Sequence, residues 1–311
     1  MGRRSFVGGG HHHGGTGSAA QQHRGRLLVA LGISLTVLVG EVVGALLTGS
    51  LALLADAGHV LTDAVGVGLA LLAVWFAARP ANARRTFGYY RMEILTAVAN
   101  AVILLGVALF VLVEAVRRIG DPPEVRAGPM LVVALLGLVA NLVGLLVLRR
   151  GQGESLLVRG AYLEVLGDLL GSAAVVVAAL VIRFTGWQLA DPVASALIGL
   201  LILPRTVALL RDAVNVLLEA TPAGIDTDRV RAHMLRVPGV ADVHDLHVWT
   251  ITSGMPAMSA HVVIEDPGTP DGGPVLDALG GCLGDHFDVR HCTFQLEPRG
   301  HAAHEPTTPH A

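Results

Sequence analysis

The chain has 311 residues, 52% of them hydrophobic and 15% charged, with a mean hydropathy of +0.60 and a formal net charge of −3. These values exclude a disordered chain and are foreign to an ordinary soluble enzyme. Charge is divided along the chain, with 17 Arg against 12 acids (+5) up to Leu218 and 5 Arg against 13 acids (−8) beyond it, so a membrane part precedes a soluble one.

Residues 1–24 are rich in Gly and His, have no apolar period and read as a disordered tail. His11–His13 suit weak metal capture, the preferred reading, although the Gly runs beside them also resemble an appended tag. A hydrocarbon core about 30 Å thick needs roughly 20 apolar helical residues. Six such runs follow, at about 27–48, 51–77, 92–116, 130–148, 161–182 and 190–210. The first comes after Arg24 and Arg26 as a signal peptide would, but it is too long and lacks an A-x-A exit, so it reads as a retained span. Eleven Arg fall in the N-terminal tail and the second and fourth connections, against four (Arg117, Arg118, Arg126 and Arg183) on the other side. The positive-inside rule therefore places both termini in the cytoplasm of a multi-pass plasma-membrane protein.

After Thr221-Pro222 the pattern shortens to a helix near 226–236, strands near 241–251 and 257–265, a helix near 273–286 and a strand near 290–297, which is a small α+β domain. Residues 299–311 read as a loose tail. The organisation is thus a tail (1–24), a six-helix membrane domain (25–212), a soluble α+β domain (213–298) and a second tail (299–311). The two cysteines, Cys282 and Cys292, exclude a disulfide framework, and no CxxC ribbon is present. No basic cluster in the soluble part points to nucleic acid.

Acids and imidazoles in a bilayer core are costly, so each needs a partner, a cavity or a function. The second run carries Asp56, His59 and Asp63, and the i, i+4 spacing of His59 and Asp63 sets them on one helical face with Asp56 one turn earlier. The fifth run repeats the arrangement with Glu164 and Asp168. If those faces meet, His59, Asp63, Glu164 and Asp168 close a tetrahedral shell around one dication. The competing reading, a buried ionic cluster kept for packing, is weakened because apolar replacements of such clusters are commonly neutral or stabilising. Glu41 either lines a water path or makes a helix-packing hydrogen bond. Glu114 should pair with Arg117 or Arg118, and Asp191 before Pro192 should cap the sixth span.

The run Leu51–Asp63, Thr86-Phe87-Gly88-Tyr89 with Arg91 and Glu93, Tyr162–Ser172, Asp191-Pro192 and His244-Asp245-Leu246-His247-Val248-Trp249 together resemble the cation diffusion facilitator family of divalent-metal/proton antiporters. The resemblance covers roughly residues 25–298. It implies six membrane helices, a cytosolic ferredoxin- or metallochaperone-like domain, and a homodimer that exports metal from the cytoplasm against protons. It also implies a transport site of His59 and Asp63 with Glu164 and Asp168, where zinc-carrying members usually have His in place of Glu164.

That substitution hardens the site and should weaken any preference for zinc or cadmium over manganese, iron or cobalt. Zinc stays the first expectation because His59 remains and mixed nitrogen and carboxylate shells suit it. His59, with Glu164, is the expected proton-exchanging group. The resemblance further implies a regulatory cytosolic site at His244, His261 and Glu297, completed by His247 or a tail His, that steadies the dimer when metal is high. No prosthetic group is expected. Cys292 beside His291 is either a soft-metal ligand or a small buried apolar residue, and Trp249 is a packing residue. Two rivals remain, an intramembrane metalloenzyme, for which no HExxH or GxSxG sequence is present, and a membrane metal sensor that moves no ions.

Overall fold

The computed structural model describes residues 24–149, 156–265 and 272–304. The His11–His13 run and residues 305–311 lie outside them. Six long helices occupy the six apolar runs: α1 (Arg24–Thr48), α2 (Leu51–Ala77), α3 (Met92–Gly120), α4 (Ala127–Arg149), α5 (Leu156–Thr185) and α6 (Ala190–Leu217). Each contains a segment long and apolar enough to cross a membrane. A short helix α7 (Thr227–Met234), strands β1 (Val240–Thr252) and β2 (Met255–Ile264), helix α8 (Gly273–Phe287) and strand β3 (His291–Glu297) follow. One 3-10 turn, His301–His304, stands where the sequence suggests a loose tail.

The chain divides into two compact units, Met1–Ala64 with Gly106–Leu203 and Val65–Leu105 with Pro204–Ala311. The first is packed mainly through small side chains, with Ala45, Ala52, Ala55, Ala134, Ala178, Ala179, Ala190 and Ala194 in its core beside Leu53, Met130 and Val175. Small residues let helix backbones approach closely, which is how helices associate where lipid removes the hydrophobic drive between them. Large apolar side chains such as Leu46, Leu136 and Leu201 are exposed, as hydrocarbon contact requires.

Within this unit a buried polar chain runs from helix to helix. Asn141 Nδ2 on α4 donates to Ser172 Oγ on α5 at 3.1 Å, and Ser172 donates to Asp56 Oδ2 on α2 at 3.0 Å. Glu41 on α1 is buried, with Oε1 beside Gly137 of α4, a position at a helix contact. Gly171 is what lets α5 approach Asp56, because a Cβ there would collide with the Asp56 carboxylate. Gly171→Ala should cost about 1–3 kcal/mol by overpacking, measured as a lower melting temperature of the purified protein in detergent.

Asp191 departs from its expected role. It lies inside α6, fully buried, and its carboxylate serves α2 instead, accepting from Leu51 N at 2.7 Å, Ala52 N at 3.2 Å and Ser50 Oγ at 2.5 Å. Ser50 is the local N-cap and accepts from Leu53 N at 3.1 Å. An anion against a helix N-terminus satisfies orphan N–H groups and the positive dipole end together. Arg118 adds charge, 3.9 Å from Asp191, while holding Glu114 at 3.1 Å as the expected ion pair.

In the second unit the sheet order is β1-β2-β3, with β1 and β2 antiparallel and β2 and β3 parallel across the α8 crossover. Helices α7 and α8 cover one face through Val230, Met234, Leu279 and Leu283, packed on Val243, Val248, Met258 and Val262. This is the small α+β domain expected from the sequence. Strand alternation sends the neighbours of Val243 and Val262, namely His244 and His261, to the opposite face.

Candidate metal centre

Helix α2 presents His59 and Asp63 one turn apart, and α5 brings Asp168 against them. His59 Nε2 lies 3.8 Å from Asp63 Oδ2 and 3.9 Å from Asp168 Oδ1, and one donor atom from each of the three residues falls within 4.8 Å of the others. His59 and Asp63 are partly buried and Asp168 is buried. His59 Nδ1 is buried without a hydrogen-bond partner among the described residues. Direct donor separations of this size leave space for an ion between the groups, because ligand bonds of about 2.0–2.2 Å set donors a little over 3 Å apart.

Glu164 sits on α5 one turn before Asp168, exposed at the edge of this group. Asp56, on the same face as His59 in the sequence, belongs to the Ser172 network instead.

The soluble domain contains a second cluster, on the face of the sheet away from α7 and α8. His244 and His261 are cross-strand neighbours, and Val263, two residues after His261, pairs with Glu297. Glu297 is buried, with Oε1 2.9 Å from His261 Nδ1 and Oε2 3.5 Å from His244 Nε2. Gln295 Nε2 donates to Glu297 Oε1 at 2.8 Å and steadies the carboxylate. The His-Asp-Leu-His strand is not regular. Asp245 has φ 49, and the pairing skips from His244↔His261 to His247↔Ser259, a β-bulge. The bulge aims Asp245 sideways, 2.9 Å from His247 Nε2 and 3.6 Å from His261 Nε2.

A third cluster was not legible in the sequence. His233 on α7 meets Cys282 and His286 on α8, again with donor atoms within 4.8 Å. Cys282 and His286 have the i, i+4 spacing that marks the membrane cluster, but His233 lies about fifty residues away and only packing reveals it. Partial burial first, then the facing His286 and nearby Arg236 and Arg229, hold the His233 imidazole below its ordinary value. Burial and Asp285 push the Cys282 thiol up, against a smaller opposite effect of Arg236. Cys292 is also pushed up by burial, packs against the domain core and donates to Val289 O at 3.4 Å, which is the small-apolar alternative.

Residues 27–218 match the cation efflux transmembrane domain, and residues 222–299 match the cation efflux protein cytoplasmic domain. The chain is 48% identical over 271 residues to the metal cation efflux system protein CzcD of Cupriavidus metallidurans, covering 87% of this chain and 85% of that one. It is 43% identical over 274 residues to the zinc transporter ZitB of Escherichia coli, covering 88% and 87% respectively. A cadmium, cobalt and zinc/H(+)-K(+) antiporter of Bacillus subtilis is 38% identical over 278 residues, covering 88% of this chain and 89% of its own.

Proposed function

The chain belongs to the cation efflux family, and on that premise we propose that it exports a divalent metal cation, zinc foremost, from the cytoplasm across the plasma membrane in exchange for protons. The observation that carries this reading is the meeting of His59 and Asp63 with Asp168 from another membrane helix. Relatives named for zinc transport, and one named for exchange against H(+), support the cargo and the coupling.

The chemistry follows from the donors. A ligand must shed its proton to bind metal, so metal and protons compete for the same side chains, and that competition is what couples their opposite movements. His59 is the proposed exchanging group, because the same imidazole lone pair takes either a proton or the metal. With His59 neutral, Asp63 and Asp168 supply two negative charges, which a dication balances. Glu164 is the proposed fourth ligand, reached by a rotation of its side chain toward Asp168. Ionised, it would leave the filled site one charge negative in low dielectric, so a proton retained there relieves the excess. Glu164 is accordingly the second proton-coupling group. The membrane potential adds about 2.3 kcal/mol per net charge moved per 100 mV.

Oxygen in place of a usual imidazole favours a second cargo reading, with manganese, iron or cobalt carried alongside or instead of zinc. The test is flux in sealed vesicles holding a metal-sensitive dye, across a panel of these metals at two pH gradients. Zinc movement that rises with the gradient supports exchange. Binding without any movement would make the protein a metal sensor.

In the cytosolic domain, His244, His261 and Glu297 are proposed to hold a regulatory ion that steadies the homodimer, with both termini on the cytoplasmic side. Ligand at a hundred times its dissociation constant stabilises the bound state by about 2.7 kcal/mol. Zinc should therefore raise the melting temperature of the wild-type protein. His261→Ala should reduce that rise, and it should also lower the metal-free melting temperature because it takes away the 2.9 Å partner of buried Glu297; an equal zinc-induced rise in both proteins argues against the site.

A further inference from the structure

We propose that His233, Cys282 and His286 form a separate metal site on the helical side of the cytosolic domain, taking a thiophilic divalent cation, cadmium or zinc. This rests on neither the transport site nor the sheet site. It would hold whichever metal the membrane helices carry.

The geometry is that of a built site. Cys282 and His286 stand one turn apart on α8, and His233 comes from α7, so the ligands arise from two elements already packed together through Met234, Leu279 and Leu283. The rings of His233 and His286 lie 5.0 Å apart and tilted by 57°, and Phe287 meets His233 edge-on at 5.2 Å. His286 Nδ1 is 2.9 Å from the Cys282 carbonyl oxygen. With the proton on Nδ1, as a donor to that carbonyl, Nε2 carries the lone pair. A backbone carbonyl orienting an imidazole in this way is the usual support of a ligating His.

The donor chemistry selects the ion. One thiolate and two imidazoles make a softer set than the carboxylate-rich cluster in the membrane, and soft donors favour cadmium and zinc over manganese or cobalt. Three protein ligands leave a fourth tetrahedral position to water. Donors now within 4.8 Å need only small side-chain rotations to reach the roughly 3.3–3.8 Å spacing of a tetrahedral shell. On binding, the ion displaces the Cys282 proton and joins α7 to α8. Cys282 is half-buried while His286 is exposed, so the cluster is open to cytosolic metal.

The test uses the full-length protein in detergent with cadmium alone as the probe. Cadmium should produce the ultraviolet thiolate-to-metal charge-transfer band and slow maleimide labelling of Cys282. Cys282→Ser should abolish the band, and Cys292→Ser should retain it. His233→Ala and His286→Asn, both at the domain surface, should each raise the cadmium concentration for half-protection by about tenfold or more. His261→Ala should leave that concentration unchanged, which separates this site from the one on the sheet. A band that survives Cys282→Ser, or protection indifferent to both histidine substitutions, overturns the proposal.

Discussion

Asp168→Ala should reduce gradient-driven zinc flux in reconstituted vesicles to the level of protein-free vesicles, with the protein still folded and dimeric by size-exclusion chromatography. Asp168 is 5% exposed, and its Oδ1 lies 3.9 Å from His59 Nε2. Without it, the cluster loses its buried acid, and the second negative charge must come from Glu164, which is exposed one turn away on α5. Removing one partner of a buried charge pair costs about 3–5 kcal/mol, and each 1.4 kcal/mol is tenfold in affinity, so binding should weaken by roughly 100-fold or more. The bundle itself should survive, because the Asn141–Ser172–Asp56 chain and the Asp191 cap do not involve Asp168. Asp63→Ala should behave alike, being the other acid beside His59. Undiminished flux in both variants removes this cluster from the transport path.

Glu164→His should raise the ratio of zinc to manganese flux by about tenfold or more, read from competition between the two metals in the same vesicles. The substitution exchanges a hard oxygen for an imidazole nitrogen, which favours zinc and gives manganese little. It also lets the filled shell reach charge balance without a retained proton, so the pH dependence of zinc flux should change together with selectivity. Glu164 lies exposed at the edge of the cluster, and His at that position has room to be accommodated without repacking the core. An unaltered metal profile would discard the argument from hardness and with it the place of Glu164 in the shell.

The membrane helices were readable because a bilayer imposes length and apolarity on each span separately, and α1 to α6 fall on the six runs with ends differing by a few residues. The His59–Asp63 pair was readable for a similar reason: helical spacing is local. What spacing cannot express is which faces of different helices meet. Asp191 illustrates this, since its sequence neighbours suggest a cap for its own helix, whereas packing turns it to the N–H groups of Leu51 and Ala52. Glu164 repeats the spacing of the other pair, and spacing alone does not say that it lies exposed at the edge of the cluster while Asp168 is buried. The bulge at Asp245 is defined by the register of β1 against β2, which one strand's residues do not specify by themselves, and the meeting of His233 with Cys282 depends on how α7 rests on α8.

The bonds from Asp191 and Ser50 to the start of α2 also decide how that helix can move. Sliding or screwing along its own axis would break all of them together, whereas tilting about the fastened end would keep them. His59 and Asp63 lie eight and twelve residues beyond Leu51, about 12 and 18 Å along the axis. They therefore ride on a lever, and a swing of roughly ten degrees would carry them some 2–3 Å. A displacement of that size is enough to pull them out of reach of Asp168, so a modest pivot would open and close the proposed ion site while its anchor stays still.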